Sequence, residues 1–209
     1  VPYTDTWEKW AVAVAGGTPP DASMATFGIF NVMPEALQPI DELLEVYDFP
    51  HLVRESFFPA HWDSNVVDGH LLGLPFRANS QVILYDKQVF LEAGISDVPT
   101  TWSELSDLAT RLTRRTGDTV ERWGFSFRNA ALNRTVNHFA QRNGWDKFDY
   151  DFTESRYLDD ALIQTLEFLN DMVAREVAAI PGSPGVGALA SGRVAILNDG
   201  PWQLAYMRA

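Results

Sequence analysis

Apolar residues recur along this chain in two patterns, one typical of helices and the other typical of strands. Where they lie three or four residues apart, they form a single apolar stripe along a helix. The helices predicted in this way carry the apolar sets Trp7, Trp10, Ala11 and Val14, then Leu105, Leu108, Ala109 and Leu112, and finally Leu158, Leu162, Leu166, Leu169 and Val173.

Capping residues mark the beginnings of three predicted helices. Asp86 should begin a short helix that stops at Gly94. Thr101 and Glu104 have the spacing of a capping box, in which each side chain accepts a hydrogen bond from the backbone N–H of the other residue. Ser155 is in position to cap the helix that carries the last leucine stripe.

Short apolar runs predict the strands. Val194 to Leu197 is a continuous apolar run of strand length, and residues 123–127 form another strand. Residues 66–74 fit two short strands joined by Asp68-Gly69, a pair that tolerates the positive φ angles of a tight hairpin. Because strands and helices alternate along the chain, the sequence predicts an α/β fold whose sheet is covered by helices.

The segment NDGPW, residues 198–202, directly follows the apolar run. Asp199-Gly200 should end the strand, and Pro201 suits the first turn of a helix because its missing N–H would have no partner there. Trp202 is therefore expected at a strand-to-helix junction, where ligands bind in open α/β sheets. Its ring is a candidate ligand contact, and burial in the core is the alternative.

Residues 76–85 carry polar side chains at alternate positions. In an extended chain, Arg77, Asn79 and Gln81 would project to the same side. A polar face on a central strand predicts a wet crevice, and a sheet edge that faces solvent is the alternative.

Composition narrows the classes of partner and of chemistry. Acidic residues outnumber basic ones by 28 to 16, and the net charge of −12 should repel nucleic acids and anionic lipids. The sequence has no cysteine, no metal-ligand spacing among its four histidines and no Gly-x-Ser-x-Gly elbow. We therefore expect no catalytic residue, no cofactor and no metal site. No apolar stretch is long enough to cross a membrane.

Six segments in a fixed order resemble one known family. They are AVAGGTPPD (13–21), DGHLLGLPF (68–76), VILYDKQVFLEAGI (82–95), PTTWSELSDLA (99–109), NGWD (143–146) and ASGRVAILNDGPW (190–202). Together they are similar to the extracellular solute-binding proteins of ABC importers, in the sugar-binding, maltose-binding-protein-like branch. The resemblance covers nearly the whole chain.

This resemblance implies a fold and a domain organisation. The implied fold is α/β, a two-lobed periplasmic-binding-protein type II fold with a hinge between the lobes. Residues 1–78 would be part of the amino-terminal lobe and residues 79–209 part of the carboxy-terminal lobe, with the interlobe crossing near residues 76–81. Because members of the family extend beyond both ends of this pattern, we expect a partial chain.

The resemblance also adds ligand-binding candidates to Trp202. The position of Asn79 commonly holds a polar residue that hydrogen-bonds the ligand, and the region of Arg128 and Asn129 is one from which the family reaches into the cleft. Trp145 occupies a place where many relatives have glycine. Its ring either lines the cleft or covers the back of the lobe.

The resulting hypothesis is an extracytoplasmic binding protein, periplasmic or anchored at the cell surface as a lipoprotein. It would be a monomer that binds a mono- or oligosaccharide and delivers it to the transmembrane permease subunits of an ABC transporter, with no nucleic-acid partner. Trp202 would stack on the sugar while Asn79 bonds its hydroxyls. The alternatives are a sugar phosphate or glycerophosphodiester, held by Arg77 and Arg128, and a carbohydrate-active enzyme.

Overall fold

The computed structural model describes residues 5–24, 33–47, 54–127, 132–146, 155–179 and 185–207. The chain divides by its internal contacts into two compact units, Val1–Ala78 and Asn79–Ala209. Assigning these units to the two lobes of a solute-binding protein stays a prediction.

The first unit contains short helices and a hairpin. Its described elements are helices α1 (Thr6–Ala15), α2 (Ile40–Val46) and α3 (Pro59–Asp63), 3-10 turns at Pro34–Ala36 and Arg54–Ser56, and strands β1 (Val66–Val67) and β2 (His70–Leu71).

Both elements predicted for this unit are present. Trp10 is buried on the apolar side of α1, and the ring of Trp7 stacks against it with the centroids 6.0 Å apart. The hairpin prediction is confirmed, because Asp68 and Gly69 join β1 to β2 with φ angles of 50° and 84°. Two successive positive φ angles match the twist of the strands that a two-residue turn connects.

The second unit is a mixed sheet covered by helices. Its elements are β3 (Val82–Tyr85), α4 (Lys87–Glu92), α5 (Trp102–Leu112), β4 (Arg114–Thr116), β5 (Thr119–Phe127), α6 (Leu132–Arg142), α7 (Asp160–Ala174), β6 (Ala178–Ala179), α8 (Val186–Ala190), β7 (Val194–Asp199), a 3-10 turn (Pro201–Gln203) and α9 (Leu204–Met207). The strand order is β3-β7-β5-β4, and β6 pairs with β5.

The strand directions bring three chain positions to one edge of this sheet. Strands β5 and β7 run parallel, with Phe127 opposite Asn198 near their ends. Strand β3 runs antiparallel to β7, so that Val82, its first residue, lies opposite Asp199, the last residue of β7. The ends of β5 and β7 and the beginning of β3 therefore share an edge, which we call the carboxyl edge.

The predicted α5 stripe is confirmed, and it packs against β5. Leu105, Leu108, Ala109 and Leu112 are all buried. The helix lies so close to the strand that a Cβ atom built on Gly124 would lie 1.8 Å from the carbonyl oxygen of Ala109. Only glycine fits at position 124, because the obstacle is backbone and cannot rotate away.

Two predicted helix caps are confirmed. The Asp86 carboxylate accepts hydrogen bonds from the N–H groups of Gln88 and Val89 at 2.9 and 3.2 Å. Thr101 Oγ1 accepts from the N–H of Glu104 at 3.2 Å, and the Glu104 carboxylate accepts from the N–H of Thr101 at 3.3 Å. These bonds satisfy backbone donors that the first turn of a helix leaves without intrahelical partners.

The prediction for α7 is wrong in its cap and in part of its buried face. Asp159 caps the helix instead of Ser155, accepting a backbone N–H at 2.9 Å. Because the helix begins only at Asp160, Leu158 lies outside it and is 90% exposed, and Leu166 faces outward at 46%. Thr165 can be buried on this face because its hydroxyl donates to the carbonyl oxygen of Ala161, one turn earlier, at 2.7 Å. The buried face consists of Leu162, Thr165, Leu169 and Met172.

Candidate ligand-binding site at the carboxyl edge

The carboxyl edge carries buried polar side chains on β5 and β7. Ser126, Asn198 and Asp199 are each at most 1% exposed, although the preceding residues of β7 are all apolar. Polar side chains are buried at this depth only where hydrogen bonds compensate for lost hydration. Ligands of open α/β sheets bind beyond the carboxyl ends of parallel strands, so this edge is the candidate site.

The predicted strand-to-helix junction at NDGPW is confirmed. Strand β7 continues to Asp199, and the 3-10 turn Pro201–Gln203 leads into α9. The Asp199 carboxylate accepts from the N–H of Gly200 at 2.8 Å and from Nε2 of Gln203 at 2.7 Å. One buried carboxylate thus holds both ends of the turn that carries Trp202.

The Trp202 ring lies directly on Gly200. A Cβ atom on Gly200 would lie 2.0 Å from ring atom Cζ3, so the ring occupies the space of a side chain at position 200. The backbone there is extended, with φ −120° and ψ 165°, a conformation open to any residue. Only glycine leaves room for the ring in this position, so the contact holds the orientation of a ring that is only half-buried.

The expected polar strand face at residues 77–81 is not present. Strand β3 begins only at Val82, and the side chains of residues 77–80 are all exposed. The alternation argument fails because these residues precede the paired strand. Asn79 nevertheless lies three residues before the carboxyl edge, with its side chain in solvent.

Arg77 belongs to the first unit, where it lines an open groove. Glu55, Phe58, His61 and Phe76 are among the other residues that line this groove. Phe58 and Phe76 are both strongly exposed there. The structure thus places Arg77 beside aromatic rings of its own unit.

Arg128 and Asn129 lie outside the described residues. They follow Phe127, the last residue of β5, which belongs to the carboxyl edge. Their contribution to a site stays a prediction.

Trp145 is part of the core in this structure. It is 3% exposed and packs with Ala140 and Leu162. Its indole Nε1 donates to the carbonyl oxygen of Arg156 at 2.7 Å, so the polar atom of the ring is satisfied internally. This packing favours a role for Trp145 in covering the lobe over a role in lining a cleft.

Beside the junction lies a polar pair, Asn198 and His138, that the sequence did not predict. Asn198 Nδ2 lies 2.9 Å from Nδ1 of His138, which belongs to α6. Burial, and secondarily the positive charge of Arg142, lowers the pKa of His138 below its ordinary value of 6.5. The polar residue at the end of an apolar run was a visible signal for Asn198, whereas its histidine partner lies 60 residues away and had none.

The described ranges contain neither a metal cluster nor a membrane-spanning helix. No group of three or more histidine, aspartate or glutamate side chains in this part of the chain could hold a metal ion. None of the described helices has the length and apolar character needed to cross a membrane.

The sequence of this chain is similar to those of one bacterial protein family. The profile of bacterial extracellular solute-binding proteins matches residues 1–208. An arabinooligosaccharide-binding protein of Halalkalibacterium halodurans is 26% identical over 173 residues, 80% of this chain and 36% of that relative.

Solved structures of binding proteins have the same fold. The GacH receptor of Streptomyces glaucescens, studied unliganded and with acarbose, superposes with a TM-score of 0.82 at 22% identity, covering 100% of this chain and 53% of the receptor. UgpB from Mycobacterium tuberculosis, in complex with glycerophosphocholine, superposes with a TM-score of 0.80 at 21% identity, covering 99% of this chain and 53% of UgpB.

The chain thus spans about half the length of these structures. Their similarity confirms the expected α/β class and the type II periplasmic-binding-protein fold. Because the family profile matches residues 1–208, the chain belongs to the family of bacterial extracellular solute-binding proteins.

Proposed function

We propose that the full-length protein captures a mono- or oligosaccharide outside the cytoplasm and delivers it to the permease of an ABC transporter. It would close over the sugar by a hinge motion between two lobes and would not turn the sugar over. The observation that carries this proposal is the half-buried Trp202 ring, held on Gly200 at the carboxyl edge.

An oriented aromatic ring suits a sugar for a specific reason. One face of a pyranose ring presents C–H groups, which pack on an aromatic plane, while its hydroxyls need hydrogen-bonding partners at the rim. Trp202 offers such a plane without first having to give up much side-chain freedom, because Gly200 already restricts the ring. Asn79, exposed three residues before β3, would supply an amide for the hydroxyls.

Relatives support a carbohydrate ligand. The relative from Halalkalibacterium halodurans is named for arabinooligosaccharides, and other proteins of the same fold were solved with mannobiose or with cycloalternan. A location outside the cytoplasm is supported by the family, whose members are described as extracellular solute-binding proteins.

A second candidate ligand is a sugar phosphate or glycerophosphodiester. It is favoured by the resemblance to the sn-glycerol-3-phosphate-binding protein UgpB of Salmonella typhimurium, 30% identical over 82 residues, and by the glycerophosphocholine complex of the mycobacterial UgpB. Arg77 and Arg128 would hold the phosphate. The net charge of −12 opposes long-range attraction of an anion, so we rank the neutral saccharide first.

The test uses the full-length protein and a defined panel of ligands: maltose, mannobiose, arabinobiose, sn-glycerol 3-phosphate and glycerophosphocholine. We expect a saccharide to raise the melting temperature, since a ligand at 100 times its Kd adds about 2.7 kcal/mol of stability. Trp202→Ala should abolish this effect and leave the fold intact. Stabilisation by the phosphate compounds alone, lost in Arg77→Gln and Arg128→Gln but kept in Asn79→Ala, would establish the second candidate instead.

Trp145→Phe is the matched control. It removes an indole whose N–H bonds the Arg156 carbonyl in the core, so it should lower stability without changing saccharide affinity. Normal binding by Trp202→Ala, or its failure to fold, would return Trp202 to a purely structural role. Release of free sugar from a bound glycoside over hours would favour the enzyme alternative.

A further inference from the structure

The Asn198 carboxamide links the sheet to α6 and leaves one of its own atoms without a partner. Its Nδ2 lies 2.9 Å from Nδ1 of His138 and 3.4 Å from the carbonyl oxygen of Val82. Both atoms are acceptors when His138 is neutral with its proton on Nε2, so they select one orientation of the amide. Oδ1 is then buried without a hydrogen-bond partner among the described residues.

This arrangement is a balance between two orientations of nearly identical shape. A half-turn about the Cβ–Cγ bond exchanges Nδ2 and Oδ1, which occupy almost the same volume. The observed orientation leaves the acceptor Oδ1 unsatisfied among the described residues, which costs free energy in a buried place. The opposite orientation would place Oδ1 against the Val82 carbonyl, and it becomes favourable only if Nδ1 of His138 turns into a donor.

We propose that His138 and Asn198 form a proton-linked pair, in which protonation of His138 at Nδ1 turns the Asn198 carboxamide over. The added proton makes Nδ1 a donor that can no longer accept from Nδ2, and after the half-turn Oδ1 accepts from it. Nδ2 then takes the buried place that Oδ1 held. The atom beside the end of β7 changes from an unsatisfied acceptor to an unsatisfied donor.

The surroundings of His138 determine where this change falls on the pH scale. Arg142, one turn further along α6, adds a positive charge, and the Phe139 ring lies edge-on with its centroid 5.7 Å away. From the sheet, β7 presents Asn198, and β3 presents the Val82 carbonyl to the same carboxamide. Burial and Arg142 lower the pKa of His138, so the half-turn falls at a pH below the ordinary histidine value of 6.5.

A functional consequence follows for the candidate site. Asn198 lies in the NDGPW segment, and the Asp199 turn connects it to the Trp202 ring. If the proposed saccharide binding is correct, affinity should change over the pH range in which His138 titrates. Only this consequence rests on the proposed function, because the pair itself needs no ligand.

The test follows the Asn198 side-chain amide by NMR in ligand-free full-length protein, labelled with ¹⁵N at asparagine and histidine, from pH 8 to pH 5. We expect the Nδ2 resonance to move with the same midpoint as the His138 ring. Asn143 is the matched control, since its Nδ2 donates to the carbonyl of Ala161 at 3.0 Å, a group that does not titrate. An Asn198 signal that stays still while His138 titrates would overturn the proposal.

Two variants give an independent reading. Asn198→Leu removes both the donor to neutral Nδ1 and the acceptor for protonated Nδ1. Because the hydrogen bond from the charged ring is the stronger of the two, the His138 midpoint should fall by about one pH unit relative to wild type. Asn198→Asp supplies a carboxylate, and the midpoint should rise. A His138 midpoint in Asn198→Leu at or above the wild-type value would contradict the pairing.

Saccharide titrations at pH 7.5 and pH 5.5 are separate, and their failure would count against the proposed function only.

Discussion

The middle of the sheet and its carboxyl edge each contain a glycine that has no room for a side chain, but for different reasons. At Gly124 the space is taken by the backbone of α5, with the Ala109 carbonyl oxygen 1.8 Å from where a Cβ would lie. At Gly200 it is taken by the Trp202 ring, 2.0 Å away. Backbone in a packed helix cannot move aside, whereas a side chain has other rotamers.

The difference separates stability from positioning. The contact at Gly124 brings α5 against β5 and lets the helix bury its leucines, so it contributes to the stability of the whole unit. The contact at Gly200 orients one ring and little else. A methyl group added at Gly124 should therefore lower the free energy of unfolding strongly and affect ligand binding little. A methyl group added at Gly200 should affect unfolding little and ligand binding strongly.

The largest effect is expected for Gly124→Ala. The added methyl meets a carbonyl that cannot move aside, so the helix must withdraw from the strand and the core loses its packing. We expect a loss of about 3 kcal/mol or more in the free energy of unfolding, measured by urea denaturation of the full-length protein. Gly187→Ala in α8 is the control, since nothing lies within 4 Å of its added Cβ. Equal stability of the two variants would show that the close contact between Gly124 and α5 does not limit the side chain at this position.

A smaller effect on stability is expected for Thr101→Ala, which tests how much the start of α5 contributes to its packing at Gly124. The substitution removes the side-chain half of the capping box at the start of the helix that contacts Gly124. We expect about 1 kcal/mol of destabilisation in the same denaturation experiment. Ser103→Ala, exposed on the first turn, should be close to neutral. A loss in Thr101→Ala no greater than in Ser103→Ala would mean that the capping box does not stabilise α5.

Gly200→Ala should change stability by about 1 kcal/mol or less, because the ring can rotate away from the new methyl. The Trp202 indole N–H resonance should shift, and saccharide affinity should fall at least tenfold if the proposed function holds. Gly187→Ala again serves as the control, because nothing lies within 4 Å of its added Cβ. An unmoved Trp202 resonance would show that the ring is not held by its contact with Gly200.

The smallest effect is a pH dependence at Glu104. Hydrogen bonds from Thr100 and Thr101 lower the pKa of this carboxyl below its ordinary value of 4.5. A carboxyl whose pKa is lower in the folded state contributes stability above its unfolded pKa, and this contribution is lost as the pH falls through the folded value. We expect the melting temperature of wild type to fall more steeply than that of Glu104→Gln between pH 5 and pH 3. Parallel curves would contradict this.

Features that depend on neighbours in sequence could be predicted, and features that depend on distant residues could not. The Thr101 capping box and the Asp68-Gly69 hairpin were correct because each involves residues a few positions apart. The start of α7 was misplaced because Ser155 and Asp159 are both good caps, and local preference does not choose between them.

The candidate site shows the same division. The junction at Trp202 was readable from an apolar run followed by Gly-Pro. The burial of Trp145 was not, because it depends on a hydrogen bond to the Arg156 carbonyl eleven residues later and on packing against α7. The polar face expected at Arg77 and Asn79 failed because the extent of β3 is set by its pairing with β7, which the sequence of β3 alone does not reveal.

The pairing of β3 with β7 also affects how the protein is made. The Val82 carbonyl and the Asn198 amide are separated by 116 residues along the chain, yet they meet at the carboxyl edge. At a synthesis rate of about 5–20 residues per second, β3 waits roughly 6 to 23 s on the ribosome before its partner exists. During that time the apolar strand VILY lacks the strand with which it pairs in the folded protein, so its edge is open to pairing with other chains.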